Sequence, residues 1–125
     1  MITLYGDPRT KKNSMRAVVV RRAGGGSFTK LLPSQAYEVY ERDCLDQLAA
    51  WVSLPIRTPV NVKCVYYMRT KRKVDLVNLL EATMDILVKA WVIEDDNCSI
   101  VVGHDGSRVL YDKNNPRVEI EIRSE

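Results

Sequence analysis

Cysteine is scarce in this chain and histidine nearly absent. Cys44, Cys64 and Cys98 stand at wide spacings with no C-x-x-C pair, and His104 is the single histidine among 125 residues. So small a supply of soft ligands argues against a zinc site or a disulfide framework and suits a reducing compartment. All three cysteines are expected as small core residues, and His104, in "GHDGS", as a solvated turn residue. No apolar run approaches the roughly 20 residues that cross a bilayer, so no membrane partner is expected. The opening "MITLYGDPRTKKN" lacks an apolar signal segment, and the expected location is cytoplasmic. Gly24, Gly25 and Gly26 introduce no helix with a phosphate-loop pattern. A nucleotide-binding loop is therefore rejected, and no small-molecule cofactor is expected.

What is present is an ordinary globular balance, 46% hydrophobic and 28% charged, in a length that suits one domain. The net charge is only +3, but it is unevenly spread. Residues 1–31 hold Arg9, Lys11, Lys12, Arg16, Arg21, Arg22 and Lys30 against one acid, Asp7. A second cluster, "RTKRK", contributes Arg69, Lys71, Arg72 and Lys73. Charge gathered in two segments can steer and hold a polyanion while the average stays low.

Periodicity supplies the elements. "MITLY" alternates as a strand, and "RAVVVRR" and "SFTKLL" read as extended segments around the glycine turn. A helix is expected from Ser34, its N-cap, to a stop at Pro55, with Tyr37, Tyr40, Cys44, Leu48 and Trp51 on one face. Val60, Val62, Cys64, Tyr66 and Met68 alternate as a strand with one buried face. A second helix spans 75–90, "CSIVVG" and "RVEIEIRS" are strands, and "RVLY" between them is extended. The order β-β-β-α-β-α-β-β predicts a single α+β domain, a mixed β-sheet with two main helices packed on it.

The second helix carries an unusual stripe. On a helical wheel Asn78, Glu81, Asp85 and Lys89 share an arc of about 80°, with Asp75 at its margin. Nearly everything else on it is apolar, so a second subunit is expected to help cover it. Aligned acids repel one another unless a cation or a proton intervenes. Two readings stay open from the wheel alone: oxygen ligands for a divalent ion such as Mg²⁺, or salt bridges to Lys89 and to arginines elsewhere. Just beyond the helix, "VIEDDNCSI" adds Glu94, Asp95 and Asp96. Carboxylates from the helix start and from this segment can converge on one metal, which suits phosphodiester hydrolysis. Basic segments on either side would hold the backbone.

Five ordered motifs, "Gly6-x-Pro8-x-x-Lys11-Lys12", "Pro33-Ser34-x-x-Tyr37", "Asp75-Leu-x-Asn78-Leu-Leu", "Asp85-Ile-Leu" and "Val-Ile-Glu-Asp95-Asp96-Asn", resemble the RusA family of Holliday-junction resolvases across essentially the whole chain. The resemblance implies a homodimeric, Mg²⁺-dependent endonuclease (Mn²⁺ able to substitute) of DNA recombination and repair, often prophage-encoded, that nicks opposite strands of a four-way junction. It implies Asp75, Asp95 and Asp96 as metal-holding catalytic residues and Asn78 as an orienting one. Arg9, Lys11, Lys12, Arg69, Lys71, Arg72 and Lys73 would grip branched DNA. Two positions depart from the family pattern: Val77 stands for the second aspartate of D-x-D-N, and Glu81 for a lysine one turn later. Because these are neighbours on one helix face, Glu81 is expected to restore the missing carboxylate, while Lys73 or Lys71 takes over from the missing lysine. The alternative is a catalytically impaired, junction-binding dimer. A nuclease for RNA or flap structures would rest on the same residues.

Overall fold

The computed structural model describes residues 1–11, 15–51 and 53–125. Among them the order is β1 (Ile2–Tyr5), β2 (Met15–Arg21), β3 (Ser27–Pro33), α1 (Gln35–Leu48), β4 (Val60–Met68), α2 (Leu76–Lys89), β5 (Val101–Gly103), β6 (Arg108–Tyr111) and β7 (Arg117–Ser124). The expected α+β class holds, with "RVLY" a strand in its own right. The main sheet runs β1-β7-β4-β5, and β6 also pairs with β4. It is mixed: β7 is antiparallel to β1 and β4, whereas β5 and β6 are parallel to β4.

Register explains the core. Leu4 lies opposite Val118, which lies opposite Tyr66; Ile2 lies opposite Ile120, which lies opposite Cys64. These residues share one face, since strand neighbours alternate. Both helices close over it: Tyr37, Tyr40, Cys44 and Leu48 from α1 and Leu79, Met84, Ile86 and Leu87 from α2 join the same buried cluster. The intervening residues Lys63, Glu119 and Glu121 leave the opposite face polar, the pattern of a sheet covered on one side. A buried hydrogen-bond chain fastens α2 to the central strand: Tyr66 OH lies 2.7 Å from Thr83 Oγ1, which donates to Leu79 C=O at 2.9 Å. Thr83 has one proton and spends it on Leu79, so Tyr66 is the donor in the first bond.

α1 starts as expected, with Ser34 Oγ accepting the Tyr37 N–H at 3.2 Å. It stops at Leu48, well before Pro55. Beyond it Trp51 and Ile56 still pack against the core, whereas Leu54 is 83% exposed. α2 is capped by Asp75, so that residue stands at the helix boundary rather than inside it. Its far end closes with Trp91 N–H to Val88 C=O and Val92 N–H to Leu87 C=O. That is the Schellman arrangement, here with a tryptophan at φ 62°.

β5 and β6 are two halves of one edge, broken at 104–107. Buried Asn61 stitches the break, accepting the Asp105 N–H at 2.9 Å and donating to the Asp105 carbonyl at 3.2 Å. A Cβ on Gly103 would come within 2.9 Å of Asn61 Oδ1. His104 belongs to the same repair rather than to solvent. It is half-buried, and its Nδ1 lies 2.9 Å from the Val62 carbonyl, which can only accept, so Nδ1 carries the proton. The cysteine expectation needs one correction. Cys44 and Cys64 are buried, but Cys98 is exposed, because the 95–99 segment forms a solvent-facing turn before β5 begins at Val101.

Candidate nucleic-acid cleft and carboxylate cluster

The two basic segments lie side by side because of one acid. Asp7 Oδ1 accepts the backbone N–H of Arg69 at 3.0 Å, and Asp7 Oδ2 lies 3.6 Å from Arg9. In the sequence Asp7 looks like the odd acid of a basic segment; its tertiary role is to tie the 6–11 loop to the end of β4. The tie helps shape an open cleft of about 700 Å³ at the start of α2, lined among others by Arg9, Thr10, Ser34, Arg72, Lys73 and Asp75. Four residues singled out in the sequence thus meet there: Arg9, Arg72, Lys73 and Asp75. Asp75 sits at the helix N-terminus, its Oδ1 accepting the Val77 N–H at 3.1 Å.

The other basic candidates have separate surroundings. Lys71 lies over the Tyr111 ring at 5.1 Å, and Arg69 is exposed just past the end of β4. Lys11 lies 3.7 Å from Asp85, so it faces an acid of α2. Lys12 falls outside the described residues.

The polar stripe of α2 is met by α1. Lys89 pairs with Glu41 at 2.8 Å, and Glu41 accepts the Tyr37 hydroxyl proton at 3.0 Å. Burial, then Glu41 and then Asp85, push the Tyr37 phenol well above its ordinary range. Lys89 thus pairs with an acid of α1 rather than with Glu81 or Asp85 of its own stripe, and Asp85 pairs with Lys11 instead of an arginine. Glu81 and Asn78 are half-buried on the same helix.

Asp85 also feels the acidic turn. The Asp96 carboxyl is pushed above the usual carboxylate range by partial desolvation, by a hydrogen bond to Asp95, and by the charges of Asp95 and Asp85. Asp95 is held below that range. Its Oδ1 accepts the Asp96 N–H at 2.8 Å and its Oδ2 the Asn97 side-chain N–H at 2.9 Å. The two neighbours divide the work: Asp95 builds the turn, and Asp96 is the carboxyl raised by its acidic surroundings. Glu94 is turned away into a pair with Arg57 at 2.6 Å.

Asp75 lines the cleft with Arg9, Arg72 and Lys73, while the Asp96 carboxyl senses the charges of Asp95 and Asp85. Asp75 and Asp85 are ten residues apart, about 15 Å along the helix axis. The donors offered to a divalent ion are all carboxylate oxygens, the right kind for Mg²⁺. Among the described residues, however, no three of His, Cys, Asp and Glu converge on one point where an ion would sit. Asp85, a member of the acidic arc of α2, adds its charge to the surroundings of Asp96 and lies 3.7 Å from Lys11.

Among the described residues, no helix is long and apolar enough to cross a membrane. No curated protein matches the chain. A comparison with protein families matches residues 6–123 to the family described as Endodeoxyribonuclease RusA. Basic loops drawn together around a carboxylate-bearing helix start are what an enzyme that handles a phosphodiester backbone requires, and the chain belongs to the RusA family of endodeoxyribonucleases.

Proposed function

We propose that this chain is a divalent-cation-dependent endodeoxyribonuclease that cleaves four-way DNA junctions as a homodimer, in recombination and repair. One domain, residues 1–125, carries the activity, in the cytoplasm and from a prophage-type gene. The observation that supports this reading most is the cleft at the start of α2, which Asp75 lines together with Arg9 from one loop and Arg72 and Lys73 from the other. The guanidinium and ammonium groups hold the phosphate backbone, and Arg69 and Lys71 extend the basic surface. Asp75, Asp95, Asp96 and Glu81 are the oxygen donors for Mg²⁺ or Mn²⁺, and Asn78 orients them. When bound, such an ion acidifies water and offsets charge on the phosphate. The raised Asp96 carboxyl favours a nearby cation, because partial desolvation and then its acidic neighbours disfavour its ionised form.

One observation favours a second reading, a junction-binding dimer without catalysis. Val77 is 67% exposed where the family motif carries a carboxylate. Incubating a labelled four-way junction with the protein and Mg²⁺ or Mn²⁺, beside an EDTA control, separates the two. Symmetric nicks that need the metal support the nuclease; binding without nicks under every metal supports the second reading. A Glu81→Ala protein that nicks at the parent rate ends the idea that Glu81 replaces the missing aspartate.

A further inference from the structure

β2 and β3 form a sheet of their own, paired only with each other from Met15↔Pro33 to Arg21↔Ser27. Isolated two-stranded ribbons are marginal in water, and this one shows apolar side chains to solvent: Val19 is 66% exposed, Leu31 65% and Phe28 41%. Residues 15–33 contain Arg16, Arg21, Arg22 and Lys30 and no acid. Arg16 is committed at the root, where it bonds to the Pro33 carbonyl at 3.1 Å and meets Glu38 of α1 at 3.4 Å. Arg21 and Arg22 lie at the tip, where Arg22 stacks over the Phe28 ring at 5.1 Å, and Lys30 lies at mid-ribbon opposite Val18. Gly25 and Gly26, at φ +100° and +77°, allow the tight reversal.

The root of this ribbon abuts the cleft. Ser34 follows β3 directly and lines the cleft, as do Arg9 and Thr10 from the loop that leads toward β2. We infer that the ribbon is a docking arm for duplex DNA, lying in the major groove of the duplex next to the cleft. This rests on the nuclease reading and adds a contact surface to it. Seven residues per strand make an arm of roughly 23 Å. A two-stranded ribbon enters the roughly 12 Å major groove, and the minor groove is about half as wide. Arg21, Arg22 and Lys30 meet phosphates and base edges, while Val19 and Leu31 offer surface for thymine methyl groups. A second copy of the chain is the competing occupant. Pairing two such ribbons about a two-fold axis would set like charges together with no acid to offset them.

The test uses the intact chain and a labelled junction in EDTA, so that binding is read without cleavage. Arg21→Ala/Arg22→Ala/Lys30→Ala is expected to lower the slope of log K against log[salt] by about 2.7, near 0.9 for each lost phosphate contact. The same loss is expected on a plain duplex, because the arm touches a duplex and not the crossover. Arg21→Lys/Arg22→Lys keeps the slope, which separates charge from folding. Val19→Ser/Leu31→Ser lowers affinity by about 10-fold with the slope unchanged. An unchanged slope and affinity for the triple variant overturns the proposal, and a switch to monomers on sizing assigns the ribbon to the second copy. If the parent chain binds no junction or duplex at all, the nuclease reading falls with it; if it binds normally and only the variants are silent, the ribbon proposal falls alone.

Discussion

Asp75 is asked to do two jobs, and two substitutions separate them. Its side chain caps α2 through the 3.1 Å bond from Val77 N–H, and the residue lines the cleft together with Arg9, Arg72 and Lys73. Asn caps a helix about as well as Asp, so Asp75→Asn keeps the cap and loses only the charge at the positive helix end, a cost of about 0.5 kcal/mol at an exposed site. Asp75→Ala loses both. Val77 N–H is then hydrated rather than orphaned because the site is exposed, which places the added cost near 1 kcal/mol, the ordinary value for a lost cap. In a domain of this length that is a melting-point gap of roughly 4 °C between the two variants. Activity should behave differently. Disturbing even an outer partner of a metal ligand costs about 10- to 100-fold, so both variants are expected to nick junctions at least about 100-fold more slowly than the parent. The assays are a thermal melt and a single-turnover cleavage series in Mg²⁺. An Asp75→Asn protein that cleaves at the parent rate removes Asp75 from the chemistry. Equal melting points for the two variants remove it from the cap.

The Tyr66–Thr83 chain predicts an asymmetry. Tyr66→Phe deletes the donor and leaves Thr83 bonded to Leu79, costing about 1 kcal/mol, whereas Thr83→Val strands a buried hydroxyl and costs about 2 kcal/mol. In urea titrations the double variant should be more stable than the sum of the singles implies; strict additivity would count against the Tyr66–Thr83 bond. Thiol labelling at neutral pH should modify Cys98 alone. Burial pushes the Cys44 thiol up to about 11 and the Cys64 thiol to about 12, so both should react only after unfolding, and fast labelling at either site refutes their packing. Gly103→Ala should drive a Cβ into Asn61 Oδ1 and break the stitch to Asp105, costing about 2 kcal/mol. Hydrogen exchange should then quicken at 103–107, and unchanged protection there refutes the account.

Much of the fold was legible because it depends on local periodicity. The alternation of Val60 through Met68 marks a strand with one apolar face, and the apolar spacing of α1 and α2 marks two amphipathic helices; each is a property of neighbours in sequence. The Ser34 cap is equally local. The end of α1 was not, because nothing local before Pro55 stops a helix, whereas the chain leaves it at Leu48 and returns Pro55 and Ile56 to the core. Cys98 was misjudged for a related reason: a cysteine beside Ile100 resembles core until the turn at 95–99 turns it outward.

The candidate site divides the same way. Acid and base could be counted from the sequence, so Asp75, Asp95, Asp96 and the basic runs stood out before any coordinates. Which of them meet was decided by the tertiary structure. Asp7 binds the Arg69 backbone across 62 positions, Lys11 turns to Asp85, and Lys89 leaves its own helix for Glu41 on α1. Charge is written residue by residue, whereas partnership depends on distances that only packing the helices and loops against the sheet creates.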